Sequence, residues 1–213
     1  MITTVLFDLD GTLVDTEPQY DAFWGSQGGR VLGVANEIEF ARKVKGQTLK
    51  GILATHFVNV DKSVHEKIEQ ELYTFESTMR FPLFDGVLEA LEFLKAQGIK
   101  TALVTSSPPK KLQYALEQTG LKKYFDTTVC AADVSEGKPS PQCYLLASQK
   151  LGSSPEECVV FEDAVAGLKS GNSAGMKVVG VKSNLADEVI TPLSHIVIDD
   201  FKNFADSWQR IIT

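Results

Sequence analysis

The feature that most constrains the fold is an alternation of short apolar segments with longer amphipathic ones. A β-branched and apolar run predicts a buried strand at residues 3–8, and similar runs recur at 101–104, 127–131, 158–161 and 177–181. Helical patterns separate the later runs, at 87–97, 109–119, 141–151 and 164–173. Strands that alternate with helices of this length form a parallel sheet with helices on both faces. The expected fold is therefore α/β, a Rossmann-like doubly wound parallel sheet.

The alternation stops between residues 15 and 82, where helix-like patterns with charged faces replace it, among them 37–44 and 62–78. We therefore predict a core domain formed by residues 1–14 and 83–213, with a small α-helical cap domain inserted over residues 15–82. The insert leaves the core just after the first strand and returns just before the next helix. We expect it to lie over the carboxyl edge of the sheet as a lid.

Charge and hydropathy disfavour nucleic acid and membranes as partners. The formal net charge of −7 and the lack of any Lys/Arg run disfavour a nucleic-acid partner. The apolar amino terminus is interrupted by Asp8 and Asp10, which disfavours a signal peptide or a membrane span. These patterns indicate a cytoplasmic protein that does not bind a membrane. They contain no signal for an oligomeric state.

The cysteines and histidines give no catalytic or zinc-binding pattern. Cys130, Cys143 and Cys158 are odd in number and widely spaced, so we expect buried, reduced thiols and no disulfide framework. The three histidines are scattered along the chain and lack a neighbouring nucleophile. We therefore assign none of these six residues to catalysis.

Polar and charged residues follow several of the predicted strands. Because the carboxyl ends of parallel strands meet at one edge of a sheet, residues far apart in sequence can converge there. The set expected at this edge is Asp8, Asp10, Thr105, Lys138, Glu162 and Asp163. Carboxylates gathered in one crevice repel one another unless a cation neutralises them. Mg²⁺, a hard cation that prefers oxygen ligands, is the natural candidate.

Four short motifs occur in order at these strand ends: DLDGT at residues 8–12, Thr105 and its neighbours, Lys138 followed by Pro139, and FEDAVAG at residues 161–167. Singly, each has a structural explanation, such as an Asp-Gly turn, a surface lysine or a helix cap. Together they resemble the haloacid dehalogenase superfamily, specifically its helical-cap phosphatase and β-phosphoglucomutase-like branch. The resemblance covers nearly the whole chain and implies the fold described above.

The resemblance implies roles for the two aspartates of the first motif. Asp8 would be the nucleophile that forms an aspartyl-phosphate, which divides one difficult displacement into two easier ones. Asp10 would protonate the leaving oxygen and then deprotonate the attacking water. Mg²⁺ would be held by Asp8, the backbone carbonyl of Asp10 and Asp163, with Glu162 as a further ligand.

Further residues would bind the substrate if the resemblance holds. Thr105 and the backbone amide of Ser106 would donate to the phosphoryl oxygens, and Lys138 would supply a fixed positive charge. In the predicted cap, Gly46 resembles a substrate loop, although it also fits a glycine that breaks a helix. Further cap candidates are Lys45, Lys50 and Trp24, for which a solvated face or a core position is the alternative.

The cap sequence separates two activities within this branch. β-Phosphoglucomutases carry a His near Asp15 and Thr16, and an Arg after the cap-loop Gly. Gln19 and Tyr20 stand where the His is expected, and residues 49–50 (Leu-Lys) stand where the Arg is expected. The favoured activity is therefore hydrolysis of a small phosphorylated metabolite, such as a sugar phosphate. A phosphomutase, a phosphonatase that uses Lys45 and a catalytically silent binding module remain alternatives.

Overall fold

The computed structural model describes residues 1–44, 48–183 and 185–213 of the chain. These residues form two compact units. One unit contains Met1–Asp15 and Phe81–Thr213, and the other contains Thr16–Arg80. Gly46 and Lys45, named above as cap-loop candidates, lie outside the described residues.

The first unit is built on a parallel sheet that has six strands within the described residues. Its strands are β1 (Thr4–Phe7), β2 (Lys100–Val104), β3 (Thr127–Val129), β4 (Cys158–Glu162), β5 (Lys177–Val181) and β6 (Ile196–Ile198). They are arranged in the order β3-β2-β1-β4-β5-β6, and every neighbouring pair is parallel. The predicted doubly wound α/β fold is confirmed. The short β6 is a strand that the sequence pattern did not predict.

Strand β1 lies between β2 and β4, where the strand order changes direction. All four of its residues are buried, which explains why the segment carries no polar alternation. Its last residue, Phe7, is level with Leu103 of β2 and Phe161 of β4, and the Phe7 and Phe161 rings stack with centroids 5.0 Å apart. Three strands therefore end side by side, which opens a crevice beyond their carboxyl ends.

The second unit is helical. Its α-helices are α1 (Glu17–Gln27), α2 (Glu37–Val44), α3 (Leu49–His56) and α4 (Lys62–Thr78), and a short π-helix (Gly28–Leu32) follows α1. Buried side chains from all four helices form its core, including Trp24, Phe40, Ile52 and Ile68. Trp24 is therefore a core residue, whereas Lys50 is exposed.

Helices cover the sheet of the first unit. They are α5 (Val87–Ala96), α6 (Pro109–Thr119), α7 (Gln142–Leu151), α8 (Val165–Ser173), α9 (Asp187–Ile190) and α10 (Phe204–Ile212). The three cysteines are free and buried here, and burial raises the pKa of the Cys158 thiol to about 11. None of the helices in the described part of the chain is long and apolar enough to cross a membrane.

Candidate active site

Asp8 directly follows β1 and reaches the crevice at the point where β1, β2 and β4 end. Its backbone N–H donates to the carbonyl of Phe161 at 3.0 Å, so the sheet ladder fixes its main chain. Its side chain is 11 % exposed. Burial raises the pKa of Asp8 well above its ordinary value; the Lys138 ammonium opposes this, and the carboxylates of Glu162 and Asp163 add to it. The site therefore favours a cation near this carboxylate.

Lys138 links the ends of the three central strands. Its ammonium donates to Asp8 Oδ1 at 2.6 Å, to Glu162 Oε1 at 2.6 Å and to the carbonyl of Val104 at 3.0 Å. The nitrogen also lies 4.9 Å from the centre of the Tyr144 ring. Burial lowers the pKa of Lys138, but the carboxylates of Asp8 and Glu162 together hold it well above its ordinary value. All three ammonium hydrogens have acceptors, so this charge is fixed in place.

Glu162, the last residue of β4, accepts four hydrogen bonds from the protein. Oε1 accepts from Lys138 and, at 2.9 Å, from the Tyr144 hydroxyl. Oε2 accepts from the backbone N–H groups of Asp163 at 3.1 Å and Ala164 at 3.2 Å. A carboxylate offers about four acceptor positions, so the protein's own donors match its capacity. Glu162 consequently holds Lys138 in one position.

The packing of Gly167 against Glu162 leads to a stability prediction. A Cβ at residue 167 would lie 1.7 Å from Glu162 Oε1, so Gly167→Ala must displace the carboxylate and break some of its bonds. Each bond lost by a buried charged group costs about 1.5–3 kcal/mol. We expect the melting temperature to fall by about 5 °C or more in thermal unfolding followed by circular dichroism.

The control for this substitution is Gly137→Ala, whose new methyl group would meet no heavy atom within 4 Å. We expect its melting temperature to match that of the parent protein. Because alanine favours a helix by up to about 1 kcal/mol over glycine, helix propensity alone would make Gly167→Ala more stable. A higher melting temperature for Gly167→Ala would therefore contradict the close packing described here.

Asp163 is held by hydroxyl groups from two loops. Oδ1 accepts from Thr12 Oγ1 at 3.0 Å, and Oδ2 accepts from Ser183 Oγ at 3.0 Å. Gly11 packs beside it with φ +83°, and a Cβ there would lie 2.1 Å from Asp163 Oδ2. Position 11 therefore needs glycine both for its backbone conformation and for the close approach of Asp163.

The carboxylates of Asp8, Glu162 and Asp163 form one buried group in which one oxygen of each lies within 4.8 Å of the others. Such a set of hard oxygen donors fits a divalent cation such as Mg²⁺, which would offset the repulsion between the carboxylates. Burial is the main cause of the raised pKa of Asp8, and the nearby carboxylates of Glu162 and Asp163 raise it further, which is in keeping with this fit.

Asp10 lies beside this group and is bonded to a different set of residues. Its Oδ2 accepts from Ser107 Oγ at 2.9 Å, and its Oδ1 accepts from Lys111 Nζ at 2.7 Å. Lys111, in the first turn of α6, is buried with 4 % of its side chain exposed. The sequence analysis did not identify Lys111, since a lysine in an amphipathic helix usually lies on the solvated face.

The loop after β2 contains the other predicted substrate ligands. Thr105 is buried, and its Oγ1 accepts from the backbone N–H of Ser107 at 3.0 Å. Because a hydroxyl can accept and donate at the same time, this bond is compatible with donation to a phosphoryl oxygen. Ser106, between them, is exposed. The loop therefore turns tightly at the edge of the crevice.

The chain is similar to known proteins both in sequence and in structure. Residues 2–175 match the family model of haloacid dehalogenase-like hydrolases. A phosphorylated carbohydrates phosphatase of Thermotoga maritima is 36% identical over 86% of this chain and 87% of its own length.

Solved structures show the same fold. A haloacid dehalogenase hydrolase of family IA, variant 3, from Entamoeba histolytica is 28% identical, has a TM-score of 0.86 and is covered over 100% of both chains. A β-phosphoglucomutase from Clostridium difficile is 24% identical with a TM-score of 0.80, over 100% of this chain and 98% of its own. At that level of identity the second likeness concerns the fold alone.

Proposed function

The chain belongs to the haloacid dehalogenase-like hydrolase family, and from this premise we propose that it is a Mg²⁺-dependent phosphatase of small phosphorylated carbohydrates. One observation carries the proposal: Asp8 lies in a buried group with two other carboxylates and the ammonium of Lys138. Two neighbouring carboxylates are suited to hold a cation, and the ammonium is suited to attract a phosphate. The phosphatase from Thermotoga maritima supports the substrate class.

In the proposed reaction, one carboxylate oxygen of Asp8 attacks the phosphorus atom. A new bond forms between Asp8 and phosphorus while the bond to the sugar oxygen breaks, and Asp10 gives its proton to that oxygen. Asp10 then takes a proton from water, the water oxygen attacks phosphorus, and Asp8 is released together with inorganic phosphate. Asp10 thus returns to its starting protonation state in each cycle.

The other residues bind and orient the phosphoryl group. The Thr105 hydroxyl and the backbone N–H of Ser106 would contact the phosphoryl oxygens, and Lys138 would attract them as a fixed positive charge. Bound Mg²⁺ would reduce the repulsion between the nucleophile and the phosphate. Asp8, Asp163 and the backbone carbonyl of Asp10 would hold this ion.

We propose a separate role for Glu162. The bonds from Lys138, Tyr144 and two backbone amides match its acceptor capacity, which favours a positioning group over a direct metal ligand. In that role Glu162 keeps the Lys138 ammonium beside Asp8. The sequence analysis treated Glu162 as a further ligand.

Two side chains of α1 favour hydrolysis over mutase activity. Gln19, one of two residues where mutases carry a His, bonds both backbone groups of Arg80: its Nε2 donates to the carbonyl at 2.8 Å and its Oε1 accepts from the N–H at 3.0 Å. The other, Tyr20, donates to Glu76 Oε1 at 2.8 Å. Both residues stabilise the helical unit. Simple hydrolysis does not require the missing His, whereas β-phosphoglucomutase-type chemistry does.

The experiment that tests the proposal measures phosphate release from a panel of sugar phosphates and small phosphorylated acids, with Mg²⁺ and after chelation. We expect release that depends on Mg²⁺ and is greatest for carbohydrate substrates. Conversion of β-glucose 1-phosphate to the 6-phosphate is followed in parallel. Isomerisation without phosphate release would show a mutase, and release that persists without metal would contradict the proposed dependence on Mg²⁺.

Asp10→Asn tests the proton-transfer role. An amide cannot exchange the required proton, so kcat should fall by about 10²–10⁴-fold on a sugar phosphate. Nitrophenolate leaves as an anion and needs no proton, so kcat/KM for p-nitrophenyl phosphate, which reports the steps up to phosphorylation of Asp8, should fall far less. Steady-state kinetics with both substrates make the comparison. An unchanged kcat on the sugar phosphate would remove Asp10 from this role.

A further inference from the structure

The environment of Lys111 is unusual for a helix lysine. Lys111 is the third residue of α6, and only 4 % of its side chain is exposed. Lys110, its neighbour on the same helix, is exposed. A buried ammonium is unfavourable unless a charged or polar partner compensates it. The amino-terminal turn of a helix also disfavours a cation, because the positive end of the helix dipole lies there.

The bond to Asp10 accounts for this placement. Lys111 Nζ donates to Asp10 Oδ1 at 2.7 Å, and Ser107 Oγ donates to Oδ2 at 2.9 Å. The Asp10 side chain is 21 % exposed and that of Lys111 is 4 % exposed, so Asp10 is the more accessible member of the pair. Two donors on opposite oxygens restrict rotation of the carboxyl group. The two bonds therefore favour one orientation of the carboxyl group.

We propose that Lys111 is a positioning residue that, together with Ser107, aims the carboxyl group of Asp10 at the oxygen that leaves phosphorus. This inference depends on the proposed function, in which Asp10 transfers the proton. In this role Lys111 acts through Asp10 and not on the substrate directly. Its contribution is the fixed orientation of Asp10.

Comparing substrates with different leaving groups distinguishes a positioning role of Lys111 from a general effect on the fold. Phosphoryl transfer from a sugar phosphate needs a proton on the departing alkoxide, whereas nitrophenolate departs without one. Because kcat/KM reports the steps up to phosphorylation of Asp8, a misaimed Asp10 should affect only the first substrate strongly. A disturbed fold would instead lower kcat/KM for both substrates by the same factor.

The test compares Lys111→Met with Lys110→Met, which removes a charge from the exposed neighbour. We expect Lys111→Met to lower kcat/KM on the best sugar phosphate by on the order of tenfold or more, with a much smaller fall on p-nitrophenyl phosphate. Lys110→Met should match the parent protein on both substrates. Lys111→Arg, which keeps a cation that can donate to Asp10, should recover part of the loss.

Ser107→Ala removes the hydrogen bond from Ser107 to Asp10 and leaves the buried ion pair intact. It should show the same selective loss, and it decides the matter if Lys111→Met does not fold. Equal losses on both substrates overturn the proposal, as does a raised KM at unchanged kcat, which would make Lys111 a binding residue. A parent protein that releases no phosphate overturns the proposed function and this inference together. An active parent with Lys111→Met indistinguishable from Lys110→Met overturns the inference alone.

Discussion

Asp8→Asn is expected to abolish turnover, with a fall in kcat of at least about 10³-fold. The amide nitrogen and oxygen of asparagine cannot act as the anionic nucleophile, so no phosphorylated enzyme should form. The measurement is steady-state phosphate release, together with mass spectrometry of the protein quenched in acid during turnover. The parent protein should gain the mass of one phosphoryl group, and the variant should not.

The fold should survive Asp8→Asn, because the metal-free site disfavours a charge at this position. Burial raises the pKa of Asp8, which means that the ionised carboxyl group destabilises the metal-free folded protein near neutral pH. A neutral isostere removes that penalty, but it also removes one of the two carboxylate partners of Lys138, which keeps Glu162. We therefore expect the metal-free variant to remain folded and to melt close to the parent.

Asp206→Asn is the matched control for Asp8→Asn, since Asp206 is exposed on α10 and is not one of the residues of the candidate site. It should retain full activity. Substantial turnover by Asp8→Asn would mean that another residue is the nucleophile. A large drop in the melting temperature of metal-free Asp8→Asn would contradict the expectation that the fold survives without the Asp8 charge.

The elements that the sequence predicted best have strong local signals. Helices α2, α4 and α6 have the bounds expected from their periodicity, and α6 ends at Gly120 in the left-handed conformation that glycine favours. Strand β1 is a β-branched and apolar run with no polar alternation, as expected for a strand buried on both faces. Here local sequence and final environment agree, so pattern alone was sufficient.

The missed elements fall into two kinds. Strand β6 has three residues, too few for an alternation to be recognised, and α1 buries few residues without a regular apolar stripe. These elements depend on packing that no local pattern records. Helix α10 is different, because Phe204, Trp208 and Ile211 are buried at helical spacing. Its signal was present in the sequence and was overlooked.

The candidate site shows the same division. Residues at strand ends, such as Asp8 and Asp163, could be grouped because topology brings strand ends together. Their partners could not be grouped by that rule. Tyr144 and Lys111 lie on helices and Ser183 in a distant loop, so their roles depend on how helices pack over the sheet. From a sequence, it is easier to recognise the residues that can react than the residues that hold them in place.

Lys138→Met is expected to impair both activity and stability. The substitution removes a fixed positive charge from the proposed phosphate site, for which a fall in kcat/KM of about 10²–10³-fold is typical. It also leaves the buried carboxylates of Asp8 and Glu162 without their common partner. Removing one partner of a buried ion pair costs about 3–5 kcal/mol, so the metal-free protein should unfold at a clearly lower urea concentration.

The response of Lys138→Met to Mg²⁺ distinguishes the role of the metal ion from the role of the Lys138 ammonium. A bound cation can replace part of the neutralisation that Lys138 provides, so Mg²⁺ should raise the urea midpoint of Lys138→Met more than that of the parent protein. Lys202→Met, which removes an exposed lysine paired with Asp85, should change neither kcat/KM nor the urea midpoint. Restored stability without restored activity would show that Mg²⁺ neutralises the carboxylates and that Lys138 serves the phosphate. If Mg²⁺ stabilised neither the variant nor the parent, the carboxylates would not be a cation site, and the proposed dependence on metal would fail with them.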